Sequence, residues 1–66
     1  MSAARFRVGE RVKVRTSLFV PEGTPGTILQ ALISMPGMYY IQFDGYAQPK
    51  LMRARELEHV DQERRS

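Results

Sequence analysis

"MPGMYYIQFDGY", residues 35–46, decides how this chain is built. Tyr39, Ile41 and Phe43 fall on one side of a two-residue repeat, and Tyr40, Gln42 and Asp44 fall on the other. Such alternation, with aromatic and β-branched residues, predicts a half-buried strand over residues 39–44. The more apolar triad is expected to face a core, which leaves Tyr40 outward. Pro36-Gly37 ahead of it suits a type II turn, and Asp44-Gly45 behind it is a strong turn dipeptide. The stretch therefore reads as turn, strand, turn. It also gathers two methionines, three tyrosines and a phenylalanine, so its outward side chains are candidates for a recognition surface.

Working outward, "RVKVR" at 11–15 alternates strictly, with Val12 and Val14 on one face and Arg11, Lys13 and Arg15 on the other. It is the clearest strand of the chain. Phe6 and Val8 are also two apart, and Gly9-Glu10 supplies the turn leading in. "TSLFVPEGTPGT", residues 16–27, holds two prolines and two glycines, which predicts a long loop. Its Leu18, Phe19 and Val20 either fold over the core or stand exposed. "TILQALIS", residues 27–34, is apolar on both sides apart from Gln30, as in a buried or strongly twisted strand. "KLMRA", residues 50–54, is a fourth strand in which Leu51 and Met52 compete for the inside. "RELEHV", residues 55–60, reads as one helical or 3₁₀ turn and a short closing strand with Leu57 and Val60 inward.

Sixty-six residues make one domain, here residues 1–61, with a polar tail at 62–66 expected to fray. Cysteine is absent, which excludes disulfides, thiolate chemistry and sulfur-ligated zinc. A single histidine, His59, makes no metal site alone. No segment of about 20 apolar residues spans a membrane, and the start lacks the apolar core of a signal peptide. The chain is expected to be soluble and cytoplasmic. Net charge is +3, with +4 in residues 1–20, −2 in 21–49 and +1 in 50–66. A basic start beside an apolar middle predicts a polarised surface.

Five short strands, a long first loop and one 3₁₀ turn before the last strand describe an all-β chain, a small five-stranded SH3-like barrel. Closing such a sheet buries a core on every inward face and removes most edges. "FRVGERVKVR", "PGTILQA", "YYIQFDG" and "ELEHV", in that order over roughly residues 6–60, resemble the SH3-like modules that open V-G-[DE]-R-V-x-V and close E-L-E-x-V. Several groups share the pattern: small subunits of cyanobacterial photosynthetic electron-transfer machinery, a domain of nitrile hydratase, and the KOW and Tudor-like modules. A free-standing chain of this size looks most like the PetP-type peripheral subunit of the cytochrome b6f complex. That resemblance implies a non-catalytic accessory subunit docked on the cytoplasmic face of a thylakoid membrane complex, with no cofactor.

Two surfaces are candidates for a partner. Arg11, Lys13 and Arg15 recur about 6.6–6.8 Å apart along one strand face. They are either a basic stripe for phosphates or acidic side chains, or an ordinary solvated face. Arg5, Arg7, Arg53 and Arg55 widen the stripe if the fold brings them together. Phe19, Met35, Met38 and Tyr40 form the second candidate, as loop anchors and adaptable thioethers for a protein partner. Base stacking on the tyrosines, at about 1–3 kcal/mol each, needs cations nearby. Residues 21–49 contain no lysine or arginine, so a protein partner is expected ahead of nucleic acid. No P-loop, dinucleotide fingerprint, metal spacing or nucleophile–base pair is present, and no catalytic, metal or cofactor site is expected.

Overall fold

The computed structural model describes residues 6–60, so Arg5 and the 62–66 tail lie outside the described residues. The chain is all-β: β1 (Arg11–Val14), β2 (Pro25–Ala31), β3 (Met38–Phe43), β4 (Lys50–Arg53) and β5 (Leu57–His59), with one 3₁₀ turn at Ala54–Glu56. They form one antiparallel sheet in the order β4-β3-β2-β1-β5. Among the described residues no ladder joins β4 to β5. They are the two edges of the sheet, linked through the 3₁₀ turn.

Alternation places the core. Val12, Val14, Ile28, Ile41 and Phe43 are fully or almost fully buried, and Tyr39, Met52 and Leu57 join them. In β4 the competition is settled in favour of Met52, with Leu51 outside. Phe6 and Val20, each outside the strands, close the core as well. Val8 departs from the expected pairing with Phe6. It sits exposed in the Arg7–Glu10 turn, where the Glu10 N–H donates to the Arg7 carbonyl at 2.9 Å. Val60 is only half-buried, because it lies past the end of β5.

Two turns flank β3 as the sequence predicts. The Met38 N–H donates to the Met35 carbonyl at 3.1 Å, and Gly37 takes φ 87° at the position a type II turn reserves for glycine. Gly45 takes φ 86° in the turn that returns the Tyr46 N–H to Phe43 at 3.1 Å. Met38 belongs to the strand rather than to the turn, paired with Arg53.

β2 differs most from its sequence reading. The strand begins at Pro25, so the first loop ends at Thr24. Proline is tolerated at the first strand position, where no ladder donor is needed, and its carbonyl accepts from the Asp44 N–H at 2.9 Å. Gly26 lies inside the sheet, between Val12 and Phe43. Further along, Ile28 pairs with Ile41 while Gln30 pairs with Tyr40, so Leu29 is a bulge residue. An extra residue shifts the alternation by one step. Ile28 therefore points in and Gln30 out, although strict period two would place both on one face. That shift explains a segment that looks apolar on both sides.

Polar contacts tie the sheet together. The Arg11 guanidinium donates to both Asp44 carboxylate oxygens, at 3.1 and 2.7 Å, and to Thr27 Oγ1 at 2.8 Å. This hydrogen-bonded pairing lowers the Asp44 pKa and raises that of Arg11. On the edge strand β5, His59 contacts the Glu10 carboxylate through Nδ1 and lies against Phe6, with ring centroids 4.5 Å apart. Partial burial by itself raises the Glu10 pKa. The hydrogen bond from the Arg7 N–H and the adjacent His59 ring outweigh that and hold it below the ordinary glutamate value.

Both carboxylates thus have folded-state pKa values below their unfolded ones. Their stabilisation is complete above the unfolded values and is lost as pH falls through the folded ones. The thermal midpoint should decline below about pH 5, and less steeply in Glu10→Gln and Asp44→Asn. Thermal melts across pH 3–7 check this, and unchanged slopes in both variants would assign acid sensitivity elsewhere.

Candidate functional site

The first loop is pinned at both ends. The Gly23 N–H donates to Val14 at 2.8 Å and the Val14 N–H to Thr24 at 3.0 Å, so the loop closes on the end of β1. Ser17 Oγ accepts from the N–H groups of Phe19 and Val20 at 3.0 and 3.3 Å. With Val20 held in the core, its neighbours are forced out. Leu18 is 94% exposed and Phe19 83%. The expected apolar trio therefore divides into one core residue and two surface ones.

Phe19 does not stand alone. It borders a groove of about 180 Å³ with Met38, Leu51, Met52, Arg53 and Glu56. Cross-strand pairing explains the company. Met38 faces Arg53 and Tyr40 faces Leu51 across β3 and β4, so these four share the outer side of the sheet. Tyr40 and Leu51 are 39% and 42% exposed. Cross-strand neighbours of this kind stand about 4.5–5.5 Å apart at Cβ, close enough for one partner to touch both. Met35, in the preceding turn, is exposed on the approach to the same end of β3.

β1 ends at Val14, so it carries two of the three basic residues expected on it, and both are occupied. Arg11 is committed to Asp44, and Lys13 lies 4.0 Å from Glu58 across the β1–β5 ladder. Arg15 goes elsewhere. Its N–H donates to the Glu56 carbonyl at 2.8 Å, which brings it beside the 3₁₀ turn. There Arg15, Arg53 and Arg55 line one concavity of about 400 Å³ with Thr16, Ser17, Leu18 and Glu56. All three arginines are exposed, and among the described residues none forms an ion pair. Arg53 also borders the Phe19 groove and a third depression lined by Pro36, Gly37 and Met38, so the three hollows meet at its side chain.

The fold thus assembles Arg15, Phe19, Met38 and Tyr40, with Met35 nearby, and leaves Arg11 and Lys13 in cross-strand pairs. Leu51 joins the site although it is not among the residues singled out in the sequence. Its signal, an exposed leucine directly opposite Tyr40, exists only once the β3–β4 register is known. Cations absent from residues 21–49 of the sequence reach the aromatic surface through β4 and the 3₁₀ turn. Tyr46 has a structural place. Its ring meets Phe43 edge-on at 5.9 Å, its carbonyl accepts from Gln42 Nε2 at 2.7 Å, and Lys50 Nζ lies 5.7 Å above it.

Glu58 faces Lys13 and His59 faces Glu10 and Phe6, as neighbours in a strand must. Among the described residues, no group of three or more His, Cys, Asp or Glu side chains is placed to hold a metal ion. No helix among them is long and apolar enough to cross a membrane. Compared with known proteins, the chain matches no family model, no curated protein and no solved structure.

Proposed function

We propose that this chain is a non-catalytic docking module, an SH3-like barrel that attaches to a larger protein complex by the outer face of β3 and β4. The observation that carries the reading is the exposure of Phe19, Tyr40 and Leu51 on one side of the sheet, with half-buried Met38 and with Arg53 between them. Aromatic, methionine and arginine side chains are the types enriched where proteins bind one another. A five-stranded order with a long first loop and a 3₁₀ turn between the last two strands supports the SH3-like assignment. The resemblance to PetP-type subunits extends the proposal to its setting, the cytoplasmic face of a photosynthetic electron-transfer complex.

Tagged full-length chain, recovered from its native cell in mild detergent, should bring a defined multi-subunit complex with it. The double variant Phe19→Ala/Tyr40→Ala should lose that complex while its thermal midpoint stays within a few degrees, because both side chains are mostly outside the core. Recovery of nucleic acid and ribosomal proteins alone would overturn the proposal. A second reading, a KOW- or Tudor-like nucleic-acid module, is favoured by one observation: Arg15, Arg53 and Arg55 gather next to Phe19. It requires oligonucleotide affinity that falls linearly with salt on a log–log plot.

A further inference from the structure

On the docking reading above, we infer that the hollow lined by Arg15, Arg53 and Arg55 binds the carboxylates of an acidic peptide segment in the partner. An apolar side chain of the same segment then lies in the adjoining groove against Phe19, Met38 and Leu51.

Charge complementarity carries the first half. On the faces around the hollow, Arg11 is paired with Asp44, Lys13 with Glu58 and His59 with Glu10, while Arg7 and Lys50, which form no ion pair among the described residues, are single cations outside it. Arg15, Arg53 and Arg55 converge from the first loop, the end of β4 and the 3₁₀ turn, with Glu56 the single carboxylate in the lining and no ion pair among the described residues. Like charges gathered in one hollow repel, and an oxyanion entering it relieves that repulsion while accepting charge-assisted hydrogen bonds. Guanidinium groups present paired N–H donors to carboxylates, a geometry that lysine lacks.

Glu56 carries the second half. It borders both the arginine hollow and the Phe19 groove, with Oε1 already accepting from the Arg53 N–H at 2.8 Å. Its other oxygen remains available to a peptide N–H. That carboxylate repels any anion, but a peptide offsets the repulsion with its N–H, whereas a phosphate backbone, charged at every residue, has no comparable donor. Between Arg53 and Glu56 the groove is lined by Met38, Leu51 and Met52, with Phe19 its single aromatic. It suits one apolar side chain better than a series of stacked bases.

The test titrates ¹⁵N-labelled full-length chain with a synthetic peptide of alternating Glu and Leu, and with the same peptide carrying Gln for Glu. Expected are amide shifts centred on Arg15, Phe19, Leu51, Arg53 and Arg55 for the acidic peptide, and affinity about tenfold weaker for the Gln peptide. Arg53→Gln should weaken binding of the acidic peptide about tenfold, and Lys13→Gln, with the same change in net charge, less than twofold. Equal losses in the two variants would reduce the effect to general electrostatics and overturn the inference. Tighter binding of a thymidine oligonucleotide or of phosphatidylserine vesicles, abolished by Arg53→Gln, would overturn it in favour of that ligand. Should the peptide fail to bind while the native complex is still recovered by wild type and by Arg53→Gln, the docking reading stands and the acidic segment is wrong. If neither binds, both fall together.

Discussion

Phe43→Ala should leave the chain largely unfolded at room temperature. The Phe43 side chain is fully buried in β3, between Gly26 of β2 and the edge of the Tyr46 ring. Truncating a buried phenylalanine costs about 3–5 kcal/mol, because the transfer energy is lost and the cavity collapses only in part. A single core in a domain below about 70–80 residues rarely supplies more than about 3–5 kcal/mol in total. With no disulfide to limit the unfolded ensemble, the two quantities cancel. Far-UV circular dichroism and urea titration check this, with Phe43→Leu expected to retain a cooperative transition. Tyr40→Ala, three residues away and on the opposite side of the strand, should cost about 1 kcal/mol or less. A larger loss for Tyr40→Ala than for Phe43→Ala would mean that β3 faces the other way.

Gly26→Ala should be the most damaging single-methyl change in the protein. A Cβ at Gly26 comes within 2.7 Å of Ile41 Cγ2, 2.8 Å of Phe43 Cδ1 and 3.0 Å of the Gln42 carbonyl oxygen. The first two belong to fully buried side chains, and the third to strand backbone, so none gives way freely. Overpacking of this kind costs about 1–3 kcal/mol. Replacing glycine with alanine also restricts the unfolded chain, which returns about 0.4–1 kcal/mol. The clash is the larger effect, and the net result is destabilising. Because the contact runs through Ile41 Cγ2, the double variant Gly26→Ala/Ile41→Ala should lose less than the two single losses combined. A double-mutant cycle on urea midpoints measures that coupling, and strict additivity would place the clash elsewhere.

The facing of β1 and β3 was legible in the sequence because both strands alternate without interruption. Turns at Gly37 and Gly45 were legible for the same local reason, since each needs a residue that accepts positive φ. β2 was legible only in part. Pro25-Gly26 looks like punctuation, yet the proline opens a strand and the glycine makes room for Ile41 and Phe43. The Leu29 bulge changes which side Gln30 occupies, and no residue type announces it. The candidate site was harder still. Tyr40 and Phe19 carry a local signal, but the approach of Arg15, Arg53 and Arg55 depends on a loop closing over a 3₁₀ turn far along the chain. Pairing of Arg11 with Asp44 is likewise set by strand order, and it removes one charge from the basic stripe that β1 displays in one dimension.

β1 sits between β2 and β5, and its ladder with β5 pairs Val12 with His59, close to the two ends of the described chain. The other three junctions, β1 with β2, β2 with β3 and β3 with β4, join neighbours in sequence. Closing a long loop costs entropy before any contact repays it, so the β2-β3-β4 meander can organise first and the β1–β5 seam last. That seam rests on three ladder pairs, as does β1 with β2, so β1 is held by shorter ladders than the meander and its seam with the terminal strand is an easy one to reopen. The Arg15 loop and the 3₁₀ turn meet beside it, joined by the hydrogen bond from Arg15 to Glu56. A ligand held by both would act as a late clamp, slowing the opening of the last strand without taking part in the steps that form the meander.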